Sequence, residues 1–217
     1  MNSIEISNRL QKCFSSVIHD VMRDRGHKNF TLPPNIRPTK EKYRIAGQIF
    51  TMEGSTNPEY DHHETILAWT GFLSKAPANK IIICQPNDNN VAFMGELSAE
   101  TLQSKNVIGY IADGGCRDLD FILKIDFPVW CKFYTPTDIV GYWKPDKFEE
   151  TIKIGDTIIN NNDYVMADID GVVIIPQSDV EGILKESEKL INTESLVRKA
   201  IREGMDPQKA YLKYGAF

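Results

Sequence analysis

The stretch KIIICQPNDNNVAFMGELSAETLQSKNVIGYIADGGCRD, residues 80–118, contains the pattern that decides the fold. It begins with an apolar strand, Lys80–Cys84, and a polar turn, followed by a strand-like piece, Val91–Met94, a glycine and a helical segment, Glu96–Ser104. The order of strand, turn and helix then repeats from the strand Ile108–Ala112 onward. Two such units in succession predict neighbouring parallel strands.

The predicted helices outside this stretch lie mainly at the two ends of the chain. Apolar residues at spacings of three and four predict one amphipathic helix through Leu10–Met22. A further helix is predicted to start at Asp61, whose side chain has the position of an N-cap. Ser178 and Glu181 have the spacing of a capping box for a last long helix, and Asp206–Phe217 predicts one or two more helical turns.

Short apolar segments between turns predict the remaining strands, at Arg44–Met52, Val129–Tyr134, Thr151–Ile154, Asp156–Ile159, Tyr164–Asp168 and Val172–Ile175. Together with the two strand-turn-helix units, they predict the α/β class with a mixed sheet and flanking helices. At 217 residues one hydrophobic core suffices, so we expect a single domain over residues 1–217, with an N-terminal helix and a C-terminal helical extension.

The composition argues against several classes of function. The 25 basic and 30 acidic residues give a formal charge of -5, and the sequence has no run of Lys or Arg that would neutralise successive phosphates. We therefore expect no nucleic acid partner. We also expect no membrane association and a cytoplasmic location, since the sequence has neither a signal peptide pattern nor the ~20 consecutive apolar residues of a bilayer span. The 4 cysteines form no CxxC pair, which predicts reduced thiols.

Two turns follow the adjacent predicted strands and carry the candidate site. In parallel sheets ligands collect at the carboxyl ends of strands, where unpaired amides at helix N-termini favour anions. In the second turn, Arg117 can hydrogen-bond a developing enolate oxygen, and Asp118 can hold a hard divalent cation such as Mg²⁺ or Mn²⁺. The first turn can offer its backbone amides to a substrate carboxylate, through Gly95-Glu96-Leu97-Ser98.

Each of these features also has a purely structural interpretation. Glycine-rich turns between strands and helices are common, and an aspartate that opens a helix is usually an N-cap, as Asp118 would then be. For either turn alone, a structural turn is a better interpretation than a ligand-binding turn. From the residues alone, an anion or metal site at this position is a hypothesis.

Other polar residues are weaker candidates. His62 and His63 are adjacent on a predicted helix and point about 100° apart, so they cannot both bind one metal from one face. Cys116 lies beside an arginine, but no partner base is identifiable from spacing, and a small residue filling a turn is the better interpretation. Asp168 and Asp170 could bind a metal, although Asp170 and the glycine after it form first of all a turn signal.

Taken jointly, several motifs resemble the RraA-like family, which includes the 4-hydroxy-4-methyl-2-oxoglutarate aldolases. The resemblance covers most of the chain from about Arg44 onward. It rests on Gly95-Glu96-Leu97, Ile111-Ala112-Asp113-Gly114-Gly115-Cys116-Arg117-Asp118, Phe127-Pro128-Val129, Ile154-Gly155-Asp156 and Ala167-Asp168-Ile169-Asp170-Gly171-Val172-Val173-Ile174-Ile175-Pro176.

The resemblance implies a swivelling β/β/α fold, assembled as homotrimers or homohexamers with active sites at subunit boundaries. It also implies a class II aldolase in which the turn from Gly95 to Ser98 and Arg117 bind the pyruvate moiety, and Asp118 ligates the cation. Two positions depart from the pattern. Phe121 stands where the family often has an acidic residue. Pro77-Ala78-Asn79 replaces a Pro-Gly-Asp turn.

The expected activity is therefore metal-dependent cleavage of a 4-hydroxy-2-oxo acid such as 4-hydroxy-4-methyl-2-oxoglutarate to pyruvate, with oxaloacetate decarboxylation as a side activity. A general base for the substrate hydroxyl is not identifiable from the sequence. Two alternatives stay open: a non-catalytic regulator that binds a ribonuclease or RNA helicase, and a small-molecule binding protein without turnover. The family's ribonuclease regulator lacks the metal-binding aspartate, so the presence of Asp118 favours the enzyme.

Overall fold

A mixed sheet forms the centre of the structure, a computed structural model that describes residues 1–216. The strands of this sheet and of two small sheets beside it are β1 (Arg37–Pro38), β2 (Ile45–Thr56), β3 (Lys80–Gln85), β4 (Gly109–Ala112), β5 (Gly115–Cys116), β6 (Val129–Cys131), β7 (Phe133–Tyr134), β8 (Trp143–Phe148), β9 (Ile152–Ile154), β10 (Thr157–Ile159), β11 (Tyr164–Ala167) and β12 (Val172–Ile175). The helices are α1 (Ser3–Leu10), α2 (Ser15–Asp24), α3 (His62–Lys75), α4 (Glu96–Ser104), α5 (Leu119–Ile125), α6 (Val180–Arg202) and α7 (Pro207–Tyr214).

The parallel part of the main sheet positions the candidate site. The strand order is β1-β6-β4-β3-β2-β11-β12, and β8 pairs with the second half of β2. Strands β2, β3, β4 and β6 are parallel neighbours, with Ile81 opposite Gly109 and Cys84 opposite Ala112. The predicted parallel pairing is confirmed. Since parallel strands end at one edge of a sheet, the turns that follow β3 and β4 lie side by side.

The strand β3 is buried on both faces, as is common for strands inside a parallel sheet. Ile81 and Ile83 pack with Trp130 in a cluster on one face of the sheet. Ile82 and Cys84 point to the other face and pack beneath residues of α3, α4 and α5. Alternation with period two therefore divides one apolar run between two cores.

The prediction of one N-terminal helix through Leu10–Met22 is wrong. The chain forms α1 and α2 with a break at residues 11–14. At the start of α2, the carboxylate of Asp168 accepts hydrogen bonds from the backbone N–H of Ser15 at 2.9 Å and from its hydroxyl at 2.6 Å. This buried carboxylate satisfies a helix-start amide from a distant part of the chain, so local apolar spacing does not reveal the break.

The predicted capping box of Ser178 and Glu181 is also wrong. The residue that precedes α6 is Asp179, and its side chain does not cap the helix. The Asp179 carboxylate forms an ion pair with Arg25, and Glu181 accepts a hydrogen bond from the amino terminus of Met1 at 2.8 Å. Both carboxylates bind cations of the N-terminal region, and neither binds the first amides of α6.

Two strand predictions need correction, and the strand β8 was not predicted. Val91–Met94 forms no strand and makes a single β-bridge to β5. The predicted strand Val129–Tyr134 divides into β6, which pairs with β4 in the main sheet, and β7, which pairs with β5 in a separate two-stranded sheet. The strand Trp143–Phe148 was not predicted, because it contains a proline and three charged residues, which an edge strand tolerates.

The predicted cap of α3 and the helical tail are both present. The Asp61 carboxylate accepts from the amides of His63 and Glu64 at 2.8 and 3.1 Å, which confirms it as an N-cap. The tail forms α7, while Phe217 lies outside the described residues. Within residues 1–216, no helix combines the length and the apolar character that a bilayer span requires.

Candidate active site

The two predicted turns meet through hydrogen bonds. The N–H of Arg117 donates to the carbonyl of Met94 at 2.9 Å, and the N–H of Glu96 donates to a carboxylate oxygen of Asp118 at 3.1 Å. The second bond joins residues 22 positions apart and connects the start of α5 with the start of α4. The structure thus brings Gly95, Glu96, Arg117 and Asp118 together at the carboxyl edge of β3 and β4.

Asp118 does not act as the N-cap of its own helix. It has φ 58° and ψ 35°, and its side chain makes no capping bond to α5. Aspartate is one of the few residues that adopt this left-handed conformation at low cost. The carboxylate instead points toward α4 and accepts from the N–H of Glu96, so it binds the start of a neighbouring helix and not the start of its own. The side chain of Asp118 is 33% exposed, so its remaining oxygen lone pairs are accessible to a ligand.

Gly95 is required because the two functional side chains pack directly against its backbone. A Cβ atom at this position would lie 2.7 Å from a carboxylate oxygen of Asp118 and 3.2 Å from Cγ of Arg117. Its φ of -146° is ordinary extended backbone, so the requirement is close approach and not conformation.

Gly95→Ala is therefore expected to push the Asp118 carboxylate away from the Glu96 amide while the sheet stays intact. We expect a loss of stability of about 1–3 kcal/mol, as for other overpacking substitutions, and weakened ligand binding at the site. Thermal unfolding measures the first effect, and titration with pyruvate and Mn²⁺ measures the second. Gly71→Ala is the control, since a Cβ atom at Gly71 meets no atom of residues 1–216 within 4 Å. Equal binding by the two variants would contradict the prediction.

Arg117 is held by two carboxylates. Its Nε lies 3.3 Å from both carboxylate oxygens of Asp118, and its Nη1 donates to Asp138 at 3.0 Å. Partial burial lowers the pKa of the guanidinium, but the Asp118 and Asp138 carboxylates outweigh this effect, and the pKa lies above its ordinary value. Arg117 therefore stays charged and presents a fixed edge to the cleft.

The N-terminus of α4 provides amides for an anion. Within residues 1–216, the N–H groups of Leu97 and Ser98 have no hydrogen-bond acceptor, whereas that of Glu96 binds Asp118. The Ser98 hydroxyl accepts a hydrogen bond from Nε1 of Trp69 at 2.8 Å, which orients the first turn of α4. Two free amides at the positive end of a helix dipole suit a carboxylate.

Sequence reasoning missed two residues of this site, Trp69 and Asp138. Trp69 belongs to the apolar side of α3, where a core role was the natural interpretation. Asp138 lies in a polar loop after β7, and its other carboxylate oxygen accepts from the N–H of Val140 at 3.1 Å. Neither residue lies in a motif, so only their position in the folded chain reveals their contacts.

Two clefts meet at Arg117 and Asp118. The first, called here the helix cleft, has a volume of about 490 Å³ and includes the start of α4, Trp69, Phe93 and Asp138. The second, called here the aromatic cleft, has a volume of about 430 Å³ and is lined by Cys116, Arg117, Asp118, Leu119, Asp120, Phe121, Tyr134, Thr135 and Pro136. Within the described part of the chain, Arg117 and Asp118 are the two residues that line both clefts. A ligand that binds across the two must pass over this pair.

The carboxylates at this site could hold a hard divalent cation that keeps most of its waters. Among residues 1–216, no three His, Cys, Asp or Glu side chains are grouped so as to bind one ion. Asp118 could then hold a divalent cation, with Glu96 and Asp138 near it in the helix cleft. Mg²⁺ is commonly bound by one or two carboxylates and keeps several waters, so this arrangement fits such an ion.

The other candidates from the sequence lie apart from this chemistry. His62 and His63 are exposed at the start of α3, and Asp168 caps α2. The thiols are free and buried in the described chain. Burial raises the pKa of Cys84 to about 12, and hydrogen bonding to Cys131 followed by burial raises the pKa of Cys116 far above its ordinary value. Both thiols are protonated at neutral pH and unsuited to nucleophilic attack.

The fold and the site define an α/β protein whose polar groups converge at the carboxyl edge of its parallel strands. A model of the RraA-like family, described as Aldolase/RraA, matches residues 15–174, so the chain belongs to this family. The family resemblance of the sequence is thereby confirmed.

Known proteins agree with this assignment. The chain is 23% identical over 208 residues to the protein DlpA of Legionella pneumophila, across 95% of this chain and 33% of DlpA, so it spans about a third of that relative. It is 22% identical to the "Putative 4-hydroxy-4-methyl-2-oxoglutarate aldolase" of Halalkalibacterium halodurans, across 84% of this chain and 83% of that protein.

A solved structure shares the fold. Streptomyces coelicolor RraAS2, described as an unusual member of the RNase ES inhibitor RraA protein family, superposes with a TM-score of 0.79 at 19% identity, across 89% of this chain and 96% of the other. The predicted α/β fold of the RraA-like type, with a mixed sheet and flanking helices, is confirmed.

Proposed function

We propose that the chain is a divalent-metal-dependent lyase that cleaves a 4-hydroxy-2-oxo acid and releases pyruvate, with oxaloacetate decarboxylation as a side activity. The observation that supports it is the convergence of the Arg117 guanidinium, the Asp118 carboxylate and the free amides of α4 where two clefts meet. The name of the Halalkalibacterium relative is consistent with this chemistry. As the resemblance implies, the proposed active form is a homotrimer or homohexamer.

The substrate carboxylate binds the amides of Leu97 and Ser98, which places the 2-oxo group over Arg117 and Asp118. Asp118 holds the cation, which when bound supplies Lewis-acid chemistry to the 2-oxo acid. Breaking the bond between C3 and C4 moves its electron pair toward the 2-oxo oxygen, while the C4 hydroxyl gives its proton to a water molecule and becomes a carbonyl. The Arg117 guanidinium donates to the developing enolate oxygen, and C3 is then protonated to give pyruvate.

The direct test is pyruvate release by the purified protein. Protein with Mg²⁺ or Mn²⁺ is incubated with 4-hydroxy-4-methyl-2-oxoglutarate, 4-hydroxy-2-oxopentanoate or oxaloacetate, and pyruvate is followed with a coupled dehydrogenase. We expect release that stops when a chelator is added and resumes with excess metal. Absence of pyruvate with every substrate and both metals would overturn the lyase proposal. The result would favour a non-catalytic regulator, in line with the description of RraAS2 as a ribonuclease inhibitor family member.

Arg117→Ala is expected to lower kcat/KM through a loss of about 2 to 4 kcal/mol of transition-state stabilisation, because one preorganised donor to the enolate oxygen is lost. The same assay measures it, and circular dichroism checks the fold. Arg117→Lys is the matched variant: it keeps the charge but lacks the planar fork that contacts Asp118 and Asp138 together. We expect Arg117→Lys to recover only part of the rate. Wild-type kcat/KM in Arg117→Ala would remove this residue from the mechanism.

A further inference from the structure

The hydrogen bond between Trp69 and Ser98 fixes which role the serine hydroxyl can take. Nε1 of Trp69 donates to the Ser98 hydroxyl oxygen at 2.8 Å. An indole N–H can only donate, so Ser98 is necessarily the acceptor in this bond. A hydroxyl carries one proton and two lone pairs. The Ser98 proton therefore stays available for a second hydrogen bond, and it points away from the indole.

The Ser98 proton has no acceptor among residues 1–216. Hydroxyls in helices commonly donate to a carbonyl of the preceding turn, and those of Thr101 and Ser104 in α4 do so at 2.7 and 2.8 Å. Four residues before Ser98, the carbonyl of Met94 instead accepts from the N–H of Arg117 at 2.9 Å. The contact between the two turns of the site thus takes the carbonyl that Ser98 would ordinarily use.

The indole of Trp69 is held firmly within one chain. Trp69 is 7% exposed, and its ring centre lies 5.3 Å from that of Phe72 and 6.1 Å from that of Trp143. Trp69 and Ser98 belong to α3 and α4 of the same chain, and both line the helix cleft. The bond between them forms without any contribution from a neighbouring subunit.

We propose that Trp69 makes the Ser98 hydroxyl a dedicated donor, and that this hydroxyl binds the substrate carboxylate together with the free amides of Leu97 and Ser98. The inference rests on the proposed function, which places that carboxylate at the start of α4. Three donors suit a carboxylate, because an ionised carboxylate only accepts hydrogen bonds. Trp69 is then a positioning residue that acts on the substrate through Ser98.

The first test follows the indole N–H signals of the intact protein by NMR during titration with pyruvate in the presence of Mg²⁺. A carboxylate that accepts from the Ser98 hydroxyl polarises its oxygen and strengthens the bond from Trp69. We expect a downfield shift of one indole signal, assigned by its loss in Trp69→Phe. Trp130 and Trp143 donate to backbone carbonyls, so their signals serve as internal references. Absence of pyruvate binding, or saturation with no shift of the Trp69 signal, would overturn the inference.

The second test removes the hydroxyl. Calorimetric titration with pyruvate and Mn²⁺ should show about tenfold weaker binding by Ser98→Ala, the loss of one hydrogen bond to a charged group. Ser98→Thr keeps a hydroxyl at the same place and should recover most of the affinity. Ser104→Ala is the control, since Ser104 lies at the other end of α4 and its hydroxyl donates to the Thr101 carbonyl. Equal affinities of Ser98→Ala and Ser104→Ala would contradict the role of the hydroxyl.

A third test asks whether Trp69 acts through Ser98. We expect Trp69→Phe to weaken pyruvate binding severalfold, because the hydroxyl is then free to rotate, and to add little in the Ser98→Ala background. Thermal unfolding of each variant checks that the fold is kept. Losses that multiply in the double variant would show that Trp69 acts on the site by another route, and would remove it as a positioning residue.

These binding measurements are independent of turnover. If no substrate releases pyruvate while the Trp69 signal shifts and Ser98→Ala binds pyruvate weakly, the lyase proposal fails and this inference stands. If substrates are cleaved while pyruvate leaves the Trp69 signal and the affinity of Ser98→Ala unchanged, the lyase proposal stands and this inference fails.

Discussion

Asp118→Asn is expected to abolish metal-dependent pyruvate release while the protein stays folded. Asparagine adopts the left-handed conformation that Asp118 has at φ 58°, and its amide oxygen can accept the hydrogen bond from the Glu96 N–H. The substitution removes the negative charge that a hard cation requires. Loss of several kcal/mol of transition-state stabilisation corresponds to roughly a thousandfold lower kcat/KM. Steady-state kinetics with Mg²⁺ or Mn²⁺ measures it.

Asp120→Asn is the matched control for this substitution. Asp120 is an exposed carboxylate two positions further along α5, and it lines only the aromatic cleft. We expect Asp120→Asn to retain most of the activity and Asp118→Asn to lose the binding of Mn²⁺ in a direct titration. Full activity in Asp118→Asn, or equal losses in the two variants, would show that the cation is held elsewhere.

Trp143→Ala is expected to cost about 3 to 5 kcal/mol of unfolding free energy, the range for large aromatic residues in a core. Trp143 is fully buried, and its ring packs edge-on against Phe93 at 4.9 Å and near Trp69 at 6.1 Å between ring centres. Gly54 leaves room for it, because a Cβ atom there would lie 2.1 Å from the indole ring. Since Phe93 and Trp69 line the helix cleft, the cavity should also loosen the site.

Trp143→Phe separates the lost volume from the lost hydrogen bond. Nε1 of Trp143 donates to the carbonyl of Pro86 at 2.8 Å, and phenylalanine leaves this buried carbonyl unpaired, at a cost of about 1–3 kcal/mol. Denaturation by urea measures both variants. We expect Trp143→Phe to fall between wild type and Trp143→Ala. Near wild-type stability of Trp143→Ala would mean that the surrounding core collapses to fill the space.

The elements that could be predicted from sequence are those whose signals are local. The apolar run Lys80–Cys84 predicted the strand β3, the segment Glu96–Ser104 predicted α4, and Asp61 predicted the cap of α3. These features depend on periodicity, apolar content and capping within a few residues. The pairing of the two turns also followed, because parallel strands place their carboxyl ends at one edge.

Errors occurred where a long-range contact overrides the local pattern. Asp168 binds the start of α2 from 153 residues away, and this contact accompanies the break in the predicted N-terminal helix. Asp179 and Glu181 pair with groups of the N-terminal region, and the predicted capping box does not form. In each case a carboxylate binds a group that is distant in sequence, and the local pattern along the chain does not reveal that contact.

The sequence by itself determined the parallel order of β3 and β4, and with it the edge where Arg117 and Asp118 must lie. Only the tertiary structure decided that Asp118 turns from its own helix to the Glu96 amide, and that Asp138 and Trp69 join the site. The physical reason is that strand order follows from apolar runs read along the chain. The direction of a polar side chain depends on which partners packing brings within hydrogen-bond distance.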